Sequence, residues 1–220
     1  MKMIVSLTQP FVWRCPDLEA ILDGCDQFNT FCARLERSAK NKYPPPRNES
    51  DADKKFRIKS VLKYKGDGFE LFVEAMIRLF PCDKRLGLIE NYQIISGRDI
   101  GVDGHGICGF NLKPFTVQCK YRQSNWKLTG NRDRLQNFSS ASLLHFGVDQ
   151  NPDPITHKCN MLIVSSADSL DFFTDCEVFG QMVHAMCRPG IKKLVDNNPT
   201  FWKYFLESCR QTLKLLKENV

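Results

Sequence analysis

Long apolar runs are missing from this sequence. Even its longest wholly apolar segments are short, such as Met161-Leu162-Ile163-Val164. No segment therefore has the roughly 20 apolar residues that a membrane-spanning helix needs. The N-terminus carries one lysine before a brief apolar stretch and has no cleavage site, so we interpret it as part of the fold. A large excess of one charge is missing too. Lys and Arg number 31 against 25 Asp and Glu, and a net charge of +6 identifies no partner by itself.

Several catalytic and metal-binding signatures are also absent. The chain has no Gly-x-Ser-x-Gly elbow and no Walker A loop, so neither a serine hydrolase nor a nucleotide-driven motor is supported. Its ten cysteines form no Cys-x-x-Cys pair and no zinc-finger spacing with histidine. Because most cysteines lie inside apolar stretches, we predict free, buried thiols in a reducing intracellular compartment, the cytoplasm or the nucleus.

One proline-rich segment divides the chain. Residues 1–42 have apolar side chains at three- and four-residue steps, which predict amphipathic helices. Residues 43–51 contain three consecutive prolines and cannot continue a helix. We therefore predict an N-terminal helical extension with its linker over residues 1–50 and a second domain over residues 51–220.

Helices and strands alternate in the second predicted domain. Beyond the interruption at Gly66-Asp67-Gly68, an apolar stripe predicts a helix from Phe69 to Phe80. Short strands are predicted over residues 92–95, 100–107, 115–121 and 161–166. Further helices are predicted over residues 128–146, 175–187 and 201–217. The pattern indicates an α/β fold in which a mixed central β-sheet is flanked by α-helices.

Three polar side chains on neighbouring predicted strands form the strongest candidate site. Alternation along residues 115–121 places Gln118 and Lys120 on one face, about 6.5–7 Å apart. Asp103 lies fifteen residues before Gln118, a spacing that suits a hairpin. Mg²⁺ prefers oxygen ligands, which Asp103, Gln118 and the Cys119 backbone carbonyl can supply. If the reaction is phosphodiester hydrolysis, Lys120 would orient or help deprotonate the attacking water and stabilise the pentavalent phosphate.

The Gly101-Val102-Asp103-Gly104 and Gln118-Cys119-Lys120 segments together resemble the core of PD-(D/E)XK nucleases, specifically the Mrr-like branch of restriction endonuclease-like proteins. That branch carries Gln where other members carry Asp or Glu, and its first core helix carries a Phe-Glu pair that Phe69-Glu70 matches. The resemblance covers about residues 65–168 and implies a restriction endonuclease-like core. It also implies a site for Mg²⁺, or Mn²⁺ as a substitute, at Asp103 and Gln118, with Lys120 catalytic and Glu70 accessory.

Helix geometry provides a separate reason to choose Glu70. With about 100° per residue, Glu70 lies roughly 90° from the centre of the apolar stripe and Glu74 roughly 130°. We therefore expect Glu70 at the border of the buried face and Glu74 closer to solvent.

Positive charge is concentrated around the predicted site. Residues 113–134 contain six basic residues and one acidic residue, Asp133. Binding to a phosphate backbone requires such a concentration. Besides Lys120, we predict nucleic-acid contacts from Lys113, Arg122, Trp126, Lys127, Arg132 and Arg134.

These observations predict a metal-dependent DNA endonuclease that hydrolyses phosphodiester bonds. The alternative is a module of the same fold that binds nucleic acid or docks another protein without cleaving, because Gln118 removes one anionic metal ligand. The Mrr-like modules that this chain resembles are often fused to helicases. The expected partners are therefore DNA, a helicase or translocase and a second copy of the chain, with no membrane.

Overall fold

The structure is a computed structural model of the 220-residue chain. It describes residues 4–96, 100–129, 133–147, 159–170, 177–178 and 181–218. The chain forms two compact units: the first contains Met1–Ala75 and Lys192–Val220, and the second contains Met76–Ile191.

Within the described residues, helices fill the N-terminal third of the chain, and helices and strands alternate after it. The α-helices are Gln9–Arg14 (α1), Leu18–Leu22 (α2), Phe28–Lys42 (α3), Asp51–Leu79 (α4), Leu135–Phe146 (α5), Arg188–Val195 (α6) and Pro199–Glu218 (α7). The strands are Ile89–Ile94 (β1), Gly104–Cys108 (β2), Pro114–Lys120 (β3), Lys127–Leu128 (β4), Asn160–Ser165 (β5), Ser169–Leu170 (β6), Glu177–Val178 (β7) and Gln181–Met186 (β8). A short 3-10 helix spans Lys84–Leu86. None of the described helices is both long and apolar enough to cross a membrane.

Aromatic side chains form the core of the first unit. The ring centroids of Phe31 and Phe72 are 5.1 Å apart, and those of Phe72 and Phe201 are 5.6 Å apart. These rings come from α3, α4 and α7. Helices α3 and α7 each bury one face, whereas α4 is buried on nearly all sides from residue 67 to residue 79. The helices predicted for residues 1–42 and 201–217 are therefore confirmed. Residues 43–50 form no helix, as the prolines predicted.

A mixed sheet forms the centre of the second unit. Its strand order is β1-β2-β3-β5-β8-β7. The first three strands are antiparallel neighbours, whereas β3, β5 and β8 run parallel. Helix α5 connects β3 to β5, and its Leu135 and Phe138 join a buried cluster with Met161 and Ile163 of β5. The predicted α/β class, with a mixed sheet and helices, is confirmed.

The helix predicted to begin after the Gly66-Asp67-Gly68 segment begins earlier, because α4 runs through that segment without a break. Lys63 Nζ pairs with Asp67 Oδ1 at 3.1 Å across one helical turn. Gly68 packs against α3 so closely that an added Cβ would lie 2.7 Å from Leu35 Cδ1. Glycine at this position therefore allows close helix packing and does not end the helix.

The helix predicted over residues 175–187 is wrong, because the described residues of that segment form β7 and β8. Val183 and Met186 of β8 are buried where the strand runs parallel to β5. A short apolar segment can form either a helix or a strand, and here the neighbouring strand decides.

Nine of the ten cysteines lie in the described residues, and all nine are free thiols. Seven of them are buried and Cys82 is exposed, while Cys176 lies outside the described residues. Burial raises the pKa of Cys15 and of Cys209 to about 12. These two thiols are therefore protonated and unreactive near neutral pH.

Candidate active site

The β2–β3 hairpin brings Asp103 beside Gln118, as the sequence predicted. Asp103 directly precedes β2, and its backbone extends the ladder on both sides. The Ile95 N–H donates to the Asp103 carbonyl at 2.9 Å, and the Asp103 N–H donates to the Val117 carbonyl at 3.0 Å. Two neighbouring segments therefore fix the backbone from which this carboxylate projects.

The Asp103 carboxylate is bound to the last part of β3. Its Oδ2 atom accepts a hydrogen bond from the Cys119 backbone N–H at 2.6 Å and another from Gln118 Nε2. Gln118 is only 5% exposed, so its carboxamide is almost removed from solvent. Hydrogen bonds to an ionised acceptor are stronger than bonds between neutral groups, and they hold the two side chains together.

The two positions of glycine in the Gly-x-Asp-Gly segment favour this residue for different structural reasons. Gly101 has a φ of +83°, in the left-handed region that favours glycine. A Cβ added there would lie 3.2 Å from Ala141 Cβ of α5. Gly104 lies against Tyr92, and an added Cβ would overlap the Tyr92 hydroxyl. The two glycines therefore allow the backbone conformation before Asp103 and the close packing after it.

Asp103, Gln118 and Lys120 line one cavity of about 400 Å³. The first turn of α5 contributes Arg134 and Asn137 to its wall. One carboxylate and two cationic side chains give this lining a net positive charge, and the α5 N-terminus adds the positive end of a helix dipole. The cavity is therefore suited to an anion such as phosphate. Asn137 was not predicted, because only the packing of α5 brings it to the site.

Two serines at the end of β5 hold the end of β3. Ser165 Oγ donates to the Lys120 carbonyl at 2.7 Å, and the Ser166 N–H donates to the same carbonyl at 3.2 Å. Ser166 Oγ also accepts from the Arg122 N–H and donates to the Arg122 carbonyl, both at 2.7 Å. These bonds fix the backbone on both sides of Tyr121 and hence the origin of the Lys120 side chain. The sequence signal for these bonds is a serine pair at the end of a buried strand.

The two glutamates of α4 have different surroundings. Glu70 is half-buried and belongs to the first unit, whereas Asp103, Gln118 and Lys120 belong to the second, so its accessory role stays a prediction. The expectation that Glu74 faces solvent is wrong, because Glu74 is fully buried. Its carboxylate accepts the Thr8 N–H at 2.9 Å and the Thr8 hydroxyl at 2.8 Å. The N-terminal segment covers this side of α4, which helix periodicity alone does not reveal.

The basic residues between 113 and 134 do not share one role. Arg122 Nε donates to Asp133 Oδ1 at 2.9 Å, and Asp133 is 3% exposed. The other Asp133 oxygen accepts the Thr129 N–H at 2.9 Å. Arg122 therefore stabilises the turn that leads into α5, whereas Arg134 lines the cavity together with Lys120.

The remaining predicted nucleic-acid contacts are dispersed. Lys113 precedes β3, at the opposite end of that strand from Lys120. Trp126 is half-buried and packs against the cluster beneath α5, and Lys127 is exposed on β4. Arg132 lies outside the described residues. Contacts of these four residues with DNA stay predictions.

Comparison with known proteins finds no match to this chain. The chain matches no protein-family model, no curated protein and no solved structure. The site is therefore interpreted from its own geometry and donor chemistry.

Side chains of the cavity carry oxygen atoms of the types that a hard divalent cation accepts. A carboxylate oxygen of Asp103 and the carboxamide oxygen of Gln118 are ligand types that Mg²⁺ accepts, and Mg²⁺ usually retains several waters. Among the described residues, no group of three or more His, Cys, Asp or Glu side chains could share a metal ion. Gln118 directs its Nε2 atom at Asp103, so the carboxamide must rotate before its oxygen can serve as a ligand.

Proposed function

We propose that this chain is a metal-dependent DNA endonuclease that hydrolyses phosphodiester bonds. The observation that carries the proposal is that Asp103, Gln118 and Lys120 line one cavity together with Arg134. A carboxylate and a carboxamide that can hold a cation lie there beside two cationic side chains that suit a phosphate.

Each side chain has a role in this proposal. Asp103 and Gln118 would hold Mg²⁺ or Mn²⁺, which neutralises phosphate charge and lowers the pKa of a bound water. Lys120 follows Gln118 by two residues on the same strand and would donate hydrogen bonds to the attacking water and to the phosphate. Arg134 and the N-terminus of α5 would bind the phosphate oxygens that do not react.

The order of elements supports a restriction endonuclease-like core within this proposal. Helix α4 is followed by the antiparallel strands β1, β2 and β3, then by α5 and by β5, which is parallel to β3. The resemblance implies the same order: a helix with the Phe-Glu pair, a strand at Asp103, a strand with Gln118 and Lys120, a helix and a further strand.

A module that binds nucleic acid without cleaving it is the second candidate. The Gln118 carboxamide already donates to Asp103 within the protein. Among the described residues, Asp103 also belongs to no group of three or more acidic, histidine or cysteine side chains that could hold a metal ion. Both observations favour a site that binds phosphate through Lys120 and Arg134 alone.

Cleavage of labelled duplex, single-stranded and branched DNA with Mg²⁺ or Mn²⁺ separates these two candidates. Asp103→Asn and Lys120→Met should each lower the cleavage rate about 100-fold or more, since each removes a group that acts on developing charge. Lys84→Met, at an exposed position of the 3-10 helix, removes the same charge as Lys120→Met and should cleave like the wild type. If the wild type binds DNA but cuts none of these substrates with either ion, the endonuclease proposal is refuted.

A further inference from the structure

The first unit contains the most positively charged stretch of the chain. Residues 34–65 hold eleven Lys and Arg and four Asp and Glu, a net charge of +7 that exceeds the +6 of the whole chain. The rest of the protein is therefore slightly acidic in sum. These residues lie on α3, on the linker and on the first half of α4.

Large apolar side chains are exposed within this basic stretch. Phe56 is 73% exposed and Leu62 is 60% exposed, both on the first half of α4. Nearly every residue between 51 and 63 is exposed or half-buried, so this part of the helix is open to solvent over most of its circumference. Several large apolar groups on one exposed helix are typical of a binding surface.

The lysines and the apolar side chains share one face of α4. With about 100° per residue, Lys55, Lys59 and Lys63 form a row, and Leu62 and Phe56 lie about 20° beyond its two sides. We call these five residues the α4 stripe. Within the described part of the chain, Lys55 and Lys59 form no ion pair, whereas Lys63 pairs with Asp67 at 3.1 Å.

This mixture of charge and apolar surface identifies the kind of partner. A helix that lies on a membrane separates its apolar face from its basic face. Ile58, which is 45% exposed, lies about 40° beyond Leu62, but the lysine row separates both of them from Phe56. The exposed apolar side chains therefore form no single apolar face. A single-stranded nucleic acid presents phosphates for the lysines and the flat faces of unpaired bases for Phe56.

We propose that the α4 stripe binds single-stranded nucleic acid, with phosphate contacts from Lys55 and Lys59 and base stacking on Phe56. This surface adds to the function proposed above and does not require cleavage at Asp103. It accounts for the exposure of Phe56 beside Lys55 and Lys59.

Fluorescence anisotropy of labelled single-stranded and duplex oligonucleotides tests the proposal on the full-length protein, with EDTA present so that no cleavage occurs. Phe56→Ala should weaken binding to the single strand about 5- to 100-fold, and binding to the duplex much less, because only unpaired bases stack. Lys55→Gln with Lys59→Gln should reduce the slope of log affinity against log salt by about 1.4 for the single strand.

Lys203→Gln with Lys217→Gln is the matched control, because both lysines are exposed on α7 of the same unit and the charge change is equal. This pair should retain the wild-type affinity within about twofold, as surface charges remote from the phosphates contribute little.

An unchanged affinity and salt slope in the Lys55/Lys59 variant overturns the proposal. Binding to anionic lipid vesicles that Phe56→Ala abolishes, without binding to oligonucleotides, also overturns it. If the wild-type protein binds the single-stranded oligonucleotide in EDTA but does not cleave DNA in Mg²⁺, only the endonuclease proposal is refuted.

Discussion

Gly66→Ala and Gly68→Ala are identical changes two residues apart in α4, and we expect opposite effects on stability. Inside a helix, Ala is more stable than Gly by about 0.5–1 kcal/mol. A Cβ added at Gly66 has no heavy atom within 4 Å. Gly66→Ala should therefore raise the free energy of unfolding by about that amount, or about 2–4 °C in Tm per kcal/mol for a chain of this size.

At Gly68 the same methyl group meets the core. The added Cβ would lie 2.7 Å from Leu35 Cδ1 and 3.5 Å from Cys15 Sγ. Both neighbours are fully buried, so neither can move toward solvent. Overpacking of this kind costs about 1–3 kcal/mol, which exceeds the helix gain and leaves a net loss of about 1 kcal/mol.

Urea unfolding followed by far-UV circular dichroism measures both changes in the helical unit. Leu35→Ala should reduce the harm of Gly68→Ala, since it removes the side chain that the new methyl group meets. A continuous helix through residues 66–68 is refuted if Gly66→Ala is strongly destabilising. The close packing on Leu35 is refuted if Gly68→Ala stabilises as much as Gly66→Ala.

Three further predictions concern buried groups of the first unit and the thiols. Thr8→Val keeps the side-chain shape but removes one donor to the buried Glu74 carboxylate, so urea unfolding should show a loss of about 1.5–3 kcal/mol. Burial raises the pKa of Cys15 to about 12, so the folded chain keeps this thiol protonated at pH values where the unfolded chain ionises it. The free energy of unfolding should therefore fall as pH rises from about 9 toward 12, and Cys15→Ala should flatten that fall. Iodoacetamide at pH 8 should label exposed Cys82 well before Cys15, as peptide mass spectrometry would show, and equal rates would contradict the burial.

The parts of the site that lie close together in sequence were predictable. Strict alternation along β3 gave the common face of Gln118 and Lys120, and the short connection to β2 limited where Asp103 could lie. Both signals are local, and no other part of the chain is needed to interpret them. The buried strand β5 was also predictable from one strongly apolar segment, whereas its parallel pairing with β3 was not.

Long-range contacts decided the features that the sequence did not reveal. Glu74 is buried because Thr8, sixty-six residues away, covers it. Arg122 forms an ion pair with the buried Asp133 carboxylate, which its charge alone does not reveal, and its contact with DNA stays a prediction. Gly68 is a helix-breaking residue type in the sequence, and only its close packing against Leu35 of α3 explains why glycine is present there. In each case the deciding partner lies at least 11 residues away along the chain, beyond the reach of any local periodicity.

A crystal of the protein soaked in Mn²⁺ and measured for anomalous scattering tests the proposed active site most directly. We expect one ion in the cavity, bound by Asp103 and by the Gln118 carboxamide oxygen, with the carboxamide rotated from the orientation in which Nε2 faces Asp103. The same soak of Asp103→Ala should leave the cavity without an anomalous peak. A wild-type cavity without Mn²⁺, in which Gln118 Nε2 still donates to Asp103, would contradict the metal-dependent site.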